Sequence, residues 1–255
     1  MAASMPNDPL AKCHWPKLSD KYAVALHSAV EFILENYTVL GIIVSGTIIR
    51  GNPDPSSDLD IYVINAQPFR QRLQKFFNGV PAEIFVNPPK SVERYFEEEQ
   101  ADRRPLTAHM LATGFVVLDL DPVIGDLQRK AKRLLSQPPA APQYLTYQRY
   151  SSALLFEDAE DMVERDPEAA EMIVYRAVAE MLNFCFIKAG SFIPRQKSIL
   201  EELTRLDTIV AELARSFYRA STLGEKMELA GRIADQTIGN RGFFEWEMPP
   251  DEVSK

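Results

Sequence analysis

The chain has very few side chains that bind soft metals or form crosslinks: two cysteines and three histidines among 255 residues. Cys13 and Cys185 lie far apart, and neither has a histidine at the spacing of a metal-ligand pair. A disulfide scaffold and a cysteine–histidine zinc site are therefore excluded. Because reduced thiols are typical of the cytosol, we expect a cytoplasmic protein.

Long apolar runs and an excess of positive charge are also missing. No apolar run approaches the roughly 18 residues that a membrane span requires, and the N-terminal sequence MAASMPNDPLAKCHW has no apolar signal core. The 36 acidic residues outnumber the 28 basic ones, which gives a formal charge of −8. A protein that neutralises a polynucleotide backbone normally has the opposite balance. We therefore expect a soluble protein whose partners include neither nucleic acid nor a membrane.

The first half of the chain alternates between short apolar segments and amphipathic segments, which is typical of an α/β domain. Three prolines in the first 18 residues predict a flexible N-terminal arm over residues 1–18, and the domain is predicted over residues 19–136. Strands are predicted at 38–44, 59–64, 82–86 and 114–120, and helices at 20–37, 68–79, 91–104 and 122–135.

The second half of the chain shows only helical periodicity. Three prolines in SQPPAAPQ predict a linker over residues 137–143. A helical bundle is predicted over residues 144–240, followed by a C-terminal tail over 241–255. Its helices are predicted at 144–165, 167–190, 198–221 and 223–238.

The segment SGTIIRGNPDPSSDLDIYVI, residues 45–64, contains two aspartates at the start of a predicted strand. Because side chains alternate along a strand, Asp58 and Asp60 share one face, opposite Leu59. Two neighbouring carboxylates repel each other, and the strand itself contains no lysine or arginine. A hard divalent cation such as Mg²⁺, bound between the two carboxylates, would offset this repulsion. If the predicted strands 59–64 and 82–86 are neighbours, Glu83 completes a cluster of three carboxylates. The alternatives are that the aspartates only stabilise the turn before the strand and that Glu83 is an exposed residue of an edge strand.

Residues upstream of the aspartates are suited to bind phosphate. Gly46 and Thr47 end the first predicted strand and open IIRG, where we expect a short helix. A glycine lets backbone amides approach a phosphate, and a helix N-terminus and the Thr47 hydroxyl add donors. Arg50 adds positive charge, and Ser57 directly precedes the first aspartate. Together with the carboxylates, these residues predict a site for a nucleoside triphosphate with Mg²⁺.

These residues resemble the signature of the DNA polymerase beta-like nucleotidyltransferase superfamily. Gly46 matches its glycine, Thr47 stands where serine is usual, and Arg50-Gly51 match the Arg-Gly that often follows. Asp58-Leu59-Asp60 match its acidic-apolar-acidic triplet, and Glu83 occupies the place of its third carboxylate. The resemblance implies an α+β fold with a small mixed β-sheet and flanking helices, followed here by an all-α helical bundle.

The order of the two domains resembles the antibiotic adenylyltransferases of the streptomycin type. In that group a basic residue after a helix–Gly–x–x–x–Pro junction contacts the triphosphate. AGSFIPRQK, residues 189–197, is similar and implies this role for Lys197 and Arg195. The alternative is that both are solvated loop charges, although cations are disfavoured before a helix N-terminus.

The resemblance also implies a reaction. Asp58 and Asp60 would hold two Mg²⁺ ions while a hydroxyl attacks the α-phosphate of ATP or another NTP and pyrophosphate leaves. Glu83 would be a metal ligand, a general base, or both. The expected partners are the NTP and a small hydroxylated acceptor. The alternatives are a protein hydroxyl as acceptor, and a non-catalytic nucleotide-binding or antitoxin-like protein; the intact carboxylate set favours an enzyme.

Overall fold

A five-stranded mixed β-sheet forms the centre of the first half of the chain. The computed structural model describes residues 8–136, 142–248 and 250, and the chain divides into two units, Met1–Gln137 and Pro138–Lys255. The strands lie in the order β3-β4-β2-β1-β5, with β2 and β4 parallel and the other neighbours antiparallel. Their bounds are β1 (Val39–Ser45), β2 (Leu59–Asn65), β3 (Gln71–Phe77), β4 (Val80–Asn87) and β5 (Phe115–Asp119). The sheet, its flanking helices and the helical second unit confirm the predicted fold class.

Helices cover both faces of this sheet. The helices are α1 (Asp20–Asn36), α2 (Pro89–Ala101), α3 (Leu106–Thr113) and α4 (Val123–Ser136); α3 has no counterpart among the predicted helices. One apolar core joins α1 to Leu59 and Ile61 of β2, and a second joins α2, α3 and α4 to Tyr62 and Ile64. Strand β2 is therefore covered on both faces, and Asp60 is its least buried residue.

The prediction of a helix over residues 68–79 is wrong, because this segment contains strand β3. Asn78 and Gly79 both have positive φ, 49° and 76°, and form the two-residue connection of a hairpin between β3 and β4. Leu73 and Phe77 of β3 pack against the core on the α1 side. Their four-residue spacing also fits the apolar stripe of a helix. Because most other side chains of this exposed edge strand are polar, the spacing was interpreted as helical.

Residues 8–18 lie against the α/β unit, which differs from the flexible arm expected from the prolines. A 3-10 helix spans Pro9–Lys12, and the His14 amide donates to the Val117 carbonyl over 2.7 Å. Apolar side chains of this segment, including Trp15, pack partly buried against the core on the α1 side. Residues 1–7 of the predicted arm lie outside the described residues.

Within the described residues, the second unit contains five α-helices around one apolar core. The helices are α5 (Pro142–Met162), α6 (Pro167–Lys188), α7 (Ile199–Leu206), α8 (Thr208–Arg219) and α9 (Leu223–Thr237). The single helix predicted over 198–221 is two helices, because Asp207 ends α7 and its side chain accepts a hydrogen bond from the Val210 amide, 3.1 Å away. Residues 137–141 of the predicted linker lie outside the described residues. In the described part of the chain, no helix combines the length and apolar character needed to cross a membrane.

Two aromatic side chains of the predicted C-terminal tail pack on the helical unit. Phe244 is partly buried against the helical core, and the Arg149 guanidinium of α5 lies 4.4 Å from its ring centroid. Trp246 contacts Tyr150 of the same helix, with ring centroids 4.8 Å apart. Residues 244–246 therefore follow the surface of α5.

Candidate metal and nucleotide site

Asp58 and Asp60 lie at the N-terminal end of β2, and both are half-buried. Leu59 and Ile61 point into the core on the α1 side, while Tyr62 points into the core on the opposite side. Since the side chains of β2 alternate, Asp60 shares the face of Tyr62. Apolar burial of its neighbours thus fixes the direction of the Asp60 carboxylate.

Strand pairing brings the third carboxylate to the same place. Strands β2 and β4 are parallel and in register, with Asp60 opposite Glu83 and Tyr62 opposite Phe85. One carboxylate oxygen from each of Asp58, Asp60 and Glu83 lies within 4.8 Å of the others. These three residues are the only group of this kind found in the described part of the chain.

The donor set of this cluster fits a hard divalent cation. All three ligands are carboxylates, which Mg²⁺ prefers to nitrogen or sulfur donors. The Ser45 hydroxyl, on the residue opposite Asp60 across the β1–β2 pair, is buried and has no hydrogen-bond partner within the described part of the chain. A buried polar atom without a partner is uncommon, and this one belongs to the residue that pairs with Asp60. The chemistry of these residues therefore supports a cation site.

Gly46 brings the backbone directly against Asp60. Its φ is +96°, and a Cβ at this position would lie only 2.6 Å from Asp60 Oδ2. A side chain would thus both strain the backbone and collide with a carboxylate of the cluster. The glycine of the sequence motif is needed here for two independent physical reasons.

The loop between β1 and β2 is held by hydroxyl groups. Thr47 Oγ1 and Ser57 Oγ are 2.9 Å apart and share a hydrogen bond, and Ser57 Oγ also accepts from the Asp54 amide over 2.8 Å. Ser57 is buried, with 7% of its surface exposed. The bond ties the residue after Gly46 to the residue before Asp58, so the two parts of the motif are physically joined.

The short helix expected at IIRG is absent, because residues 47–51 form a hydrogen-bonded turn. The Arg50 amide donates to the Gly46 carbonyl over 3.2 Å, and the Asn52 amide donates to the Thr47 carbonyl over 3.0 Å. Arg50 is exposed at this turn. The chain leaves the turn through the prolines Pro53 and Pro55, which cannot donate the backbone hydrogen bonds that extend a helix.

Arg195 and Lys197 lie in the helical unit, at the 3-10 turn Gln196–Ser198 that precedes α7. Arg195 is half-buried, and Lys197 is exposed. The two cations flank Gln196 at the N-terminal side of the helix, as the sequence predicts. Their part in nucleotide binding stays a prediction.

Two residues of β3 at this site were not predicted. Arg72 Nε and Nη2 each lie 2.6 Å from Glu83 Oε1, and Gln74 Nε2 donates to the same oxygen over 3.2 Å. The repulsion among the carboxylates is thus reduced by a cation from the neighbouring strand. The signal that could have found both residues is Asn78-Gly79, since a hairpin at this point places Gln74 opposite Glu83.

A solved structure shares this fold. The nucleotidyltransferase-like protein from Exiguobacterium sibiricum 255-15 matches 84% of this chain and 73% of its own, with a TM-score of 0.53 and 16% sequence identity. No family model matches the sequence, and no curated protein matches it. At this identity the similarity concerns the fold, and the chain accordingly has a nucleotidyltransferase-like fold.

Proposed function

We propose that this protein is a Mg²⁺-dependent nucleotidyltransferase that transfers a nucleoside monophosphate, AMP from ATP, to a hydroxyl of a small acceptor molecule. The observation that carries the proposal is the convergence of Asp58, Asp60 and Glu83 on one face of the sheet, with oxygens within 4.8 Å. The nucleotidyltransferase-like fold supports the same class of reaction. The reduced thiols that the sequence favours fit a cytoplasmic location.

The three carboxylates would hold the metal. Bound Mg²⁺ would neutralise the triphosphate and orient it for attack. Glu83 is in addition the candidate base, since it lies directly opposite Asp60 and only 13% of its side chain is exposed. Its carboxylate would take the proton of the acceptor hydroxyl, as ligand and base together or as base alone.

The reaction is a substitution at the α-phosphorus. The acceptor oxygen forms a bond to the α-phosphorus, the bond from that phosphorus to the bridging oxygen breaks, and pyrophosphate leaves with the electron pair. The acceptor proton passes to Glu83 and then to solvent. The residues contribute mainly by positioning the reactants and by stabilising charge.

Phosphate binding is assigned to the loop between β1 and β2. The backbone at Gly46 approaches closely because it has no side chain, and Thr47 and Ser57 present hydroxyls that already share a hydrogen bond. Arg50 is exposed beside them and would pair with a phosphate. Arg195 and Lys197 would contact the triphosphate as well, in line with the resemblance to the streptomycin-type adenylyltransferases.

The experiment is a pyrophosphate-release assay with ATP, Mg²⁺ and a panel of hydroxylated small molecules. We expect release that requires Mg²⁺ and an acceptor, and that disappears in Asp60→Asn. Release only with a protein acceptor would reassign the acceptor to a protein hydroxyl. Nucleotide binding without release for any acceptor would contradict the enzyme proposal and favour a non-catalytic nucleotide-binding or antitoxin-like protein.

A further inference from the structure

Two hydrogen bonds and one ion-pair contact converge on a single oxygen of Glu83. Arg72 Nε donates to Oε1 over 2.6 Å, and Gln74 Nε2 donates to the same atom over 3.2 Å. Arg72 Nη2 also lies 2.6 Å from Oε1, as the second contact of the ion pair. Strand register explains the arrangement: Gln74 lies directly opposite Glu83, and Arg72 lies opposite Phe85, two residues further along β4. Both donors therefore stand on the face of the sheet that carries the carboxylates.

The Arg72 guanidinium is itself held by an aromatic neighbour. It lies 4.9 Å from the centroid of the Phe85 ring, and this ring stacks on Tyr62, with centroids 5.9 Å apart and planes 16° from parallel. Tyr62 is two residues from Asp60 on β2. The guanidinium is thus fixed relative to both strands that carry the cluster.

We propose that Arg72 is a positioning residue, assisted by Gln74, that fixes the rotation of the Glu83 carboxylate for metal binding; the inference rests on the proposed function. Because the contacts from Arg72 and Gln74 all fall on Oε1, coordination capacity remains on Oε2. A stabilising role explains the contact poorly, because 67% of the Arg72 side chain is exposed and exposed ion pairs contribute little to stability. Groups that orient a metal ligand, in contrast, have large effects on metal affinity.

A purely electrostatic role makes the opposite prediction. A fixed positive charge beside the cluster repels a divalent cation, so removal of Arg72 would then tighten metal binding. If Arg72 acts by orienting Glu83, its removal weakens metal binding, although the net charge becomes more favourable. The direction of the change therefore distinguishes the two roles.

The test is a titration of the full chain with Mn²⁺ alone, followed by electron paramagnetic resonance. We expect Arg72→Ala to weaken Mn²⁺ binding on the order of 10-fold. Arg72→Lys keeps the charge but loses the guanidinium geometry, and we expect weakening there as well. Arg129→Ala is the matched control, because Arg129 is 66% exposed and pairs with Asp126 on α4; its Mn²⁺ affinity should equal that of the wild type.

The outcomes distinguish failure of the positioning role from failure of the metal site. Wild-type affinity or tighter binding in Arg72→Ala overturns the positioning role and leaves the metal site intact. Full affinity in Arg72→Lys overturns it too, because the geometry of the guanidinium would then not be needed. If the wild type binds no Mn²⁺ at the carboxylates, as judged against Asp58→Ala/Asp60→Ala, the metal site of the proposed function fails together with this inference. Thermal unfolding of each variant verifies that it is folded.

Discussion

The close approach of Gly46 to Asp60 can be tested by adding a single methyl group. Gly46→Ala places a Cβ 2.6 Å from Asp60 Oδ2, whereas ordinary contacts begin at 3.4 Å. The carboxylate must therefore move by about 0.8 Å, the difference between these distances. Because it is the end of a side chain, rotation relieves the collision at little cost in stability, but it displaces a metal ligand.

The chain contains a matched control for the backbone strain. Gly51 also has positive φ, +81°, and a Cβ there would meet nothing within 4 Å. Alanine in the left-handed region costs roughly 1–2 kcal/mol, and this cost is shared by Gly46→Ala and Gly51→Ala. We expect urea denaturation to show similar losses of unfolding free energy in the two variants.

The functional effects of the two substitutions should differ. We expect Mg²⁺-dependent ATP binding, measured by calorimetry, to weaken on the order of 10- to 100-fold in Gly46→Ala, because misplacement by about 1 Å can have effects of this size. Binding in Gly51→Ala should be close to wild type. Equal ATP affinity in the two variants would refute the reasoning that Gly46 is required by Asp60.

Two further predictions concern ionisable groups outside the cluster. Burial raises the pKa of Glu99, despite hydrogen bonds from Thr107, so the charged form lowers the stability of the native state and stability falls as pH rises from 4.5 through the raised value. Urea denaturation should therefore show that the unfolding free energy of Glu99→Gln, relative to that of the wild type, is higher at pH 7 than at pH 4.5. A difference between variant and wild type that does not change with pH would contradict this. Burial also raises the pKa of Cys13 to about 11 and of Cys185 to about 12, so both thiols should react with DTNB at pH 8 much more slowly in the native than in the unfolded protein. Equal native and unfolded rates would contradict this.

The aspartates could be placed from the sequence because strand alternation is a local rule. Leu59, Ile61 and Val63 had to face a core, which put Asp58 and Asp60 on the other face. Glu83 followed from the assumption that the strands of residues 59–64 and 82–86 are neighbours, and the register of β2 and β4 confirms that assumption. Apolar patterning thus carried the prediction of the cluster.

Arg72 and Gln74 were not placed at the site, because the strand that carries them was predicted as a helix. Leu73 and Phe77 satisfy a helical spacing and an alternating one equally well. The choice between them is made by tertiary structure: β3 pairs with β4 through the turn at Asn78 and Gly79. Contacts that depend on this pairing, such as the one between Arg72 and Glu83, can be predicted only once the hairpin at Asn78 and Gly79 is recognised.

The acceptor depends on features that the motif does not specify. The residues from Gly46 to Asp60 are suited to bind a nucleotide and a metal, and their chemistry is the same for any hydroxylated acceptor. Tyr147 of α5 is an example: the residue is 49% exposed, but its position in the sequence does not indicate which ligand, if any, it contacts. The acceptor screen is therefore required in addition to the binding measurements.

Calorimetric titration of ATP in the presence and absence of Mg²⁺ tests the metal site most directly, with wild type compared with Asp58→Ala/Asp60→Ala. We predict that wild-type protein binds ATP in a Mg²⁺-dependent manner and that the double variant, although folded, loses this dependence. ATP binding that needs no Mg²⁺, or Mg²⁺-dependent binding that is unchanged in the double variant, would contradict the assignment of the three carboxylates as the metal site.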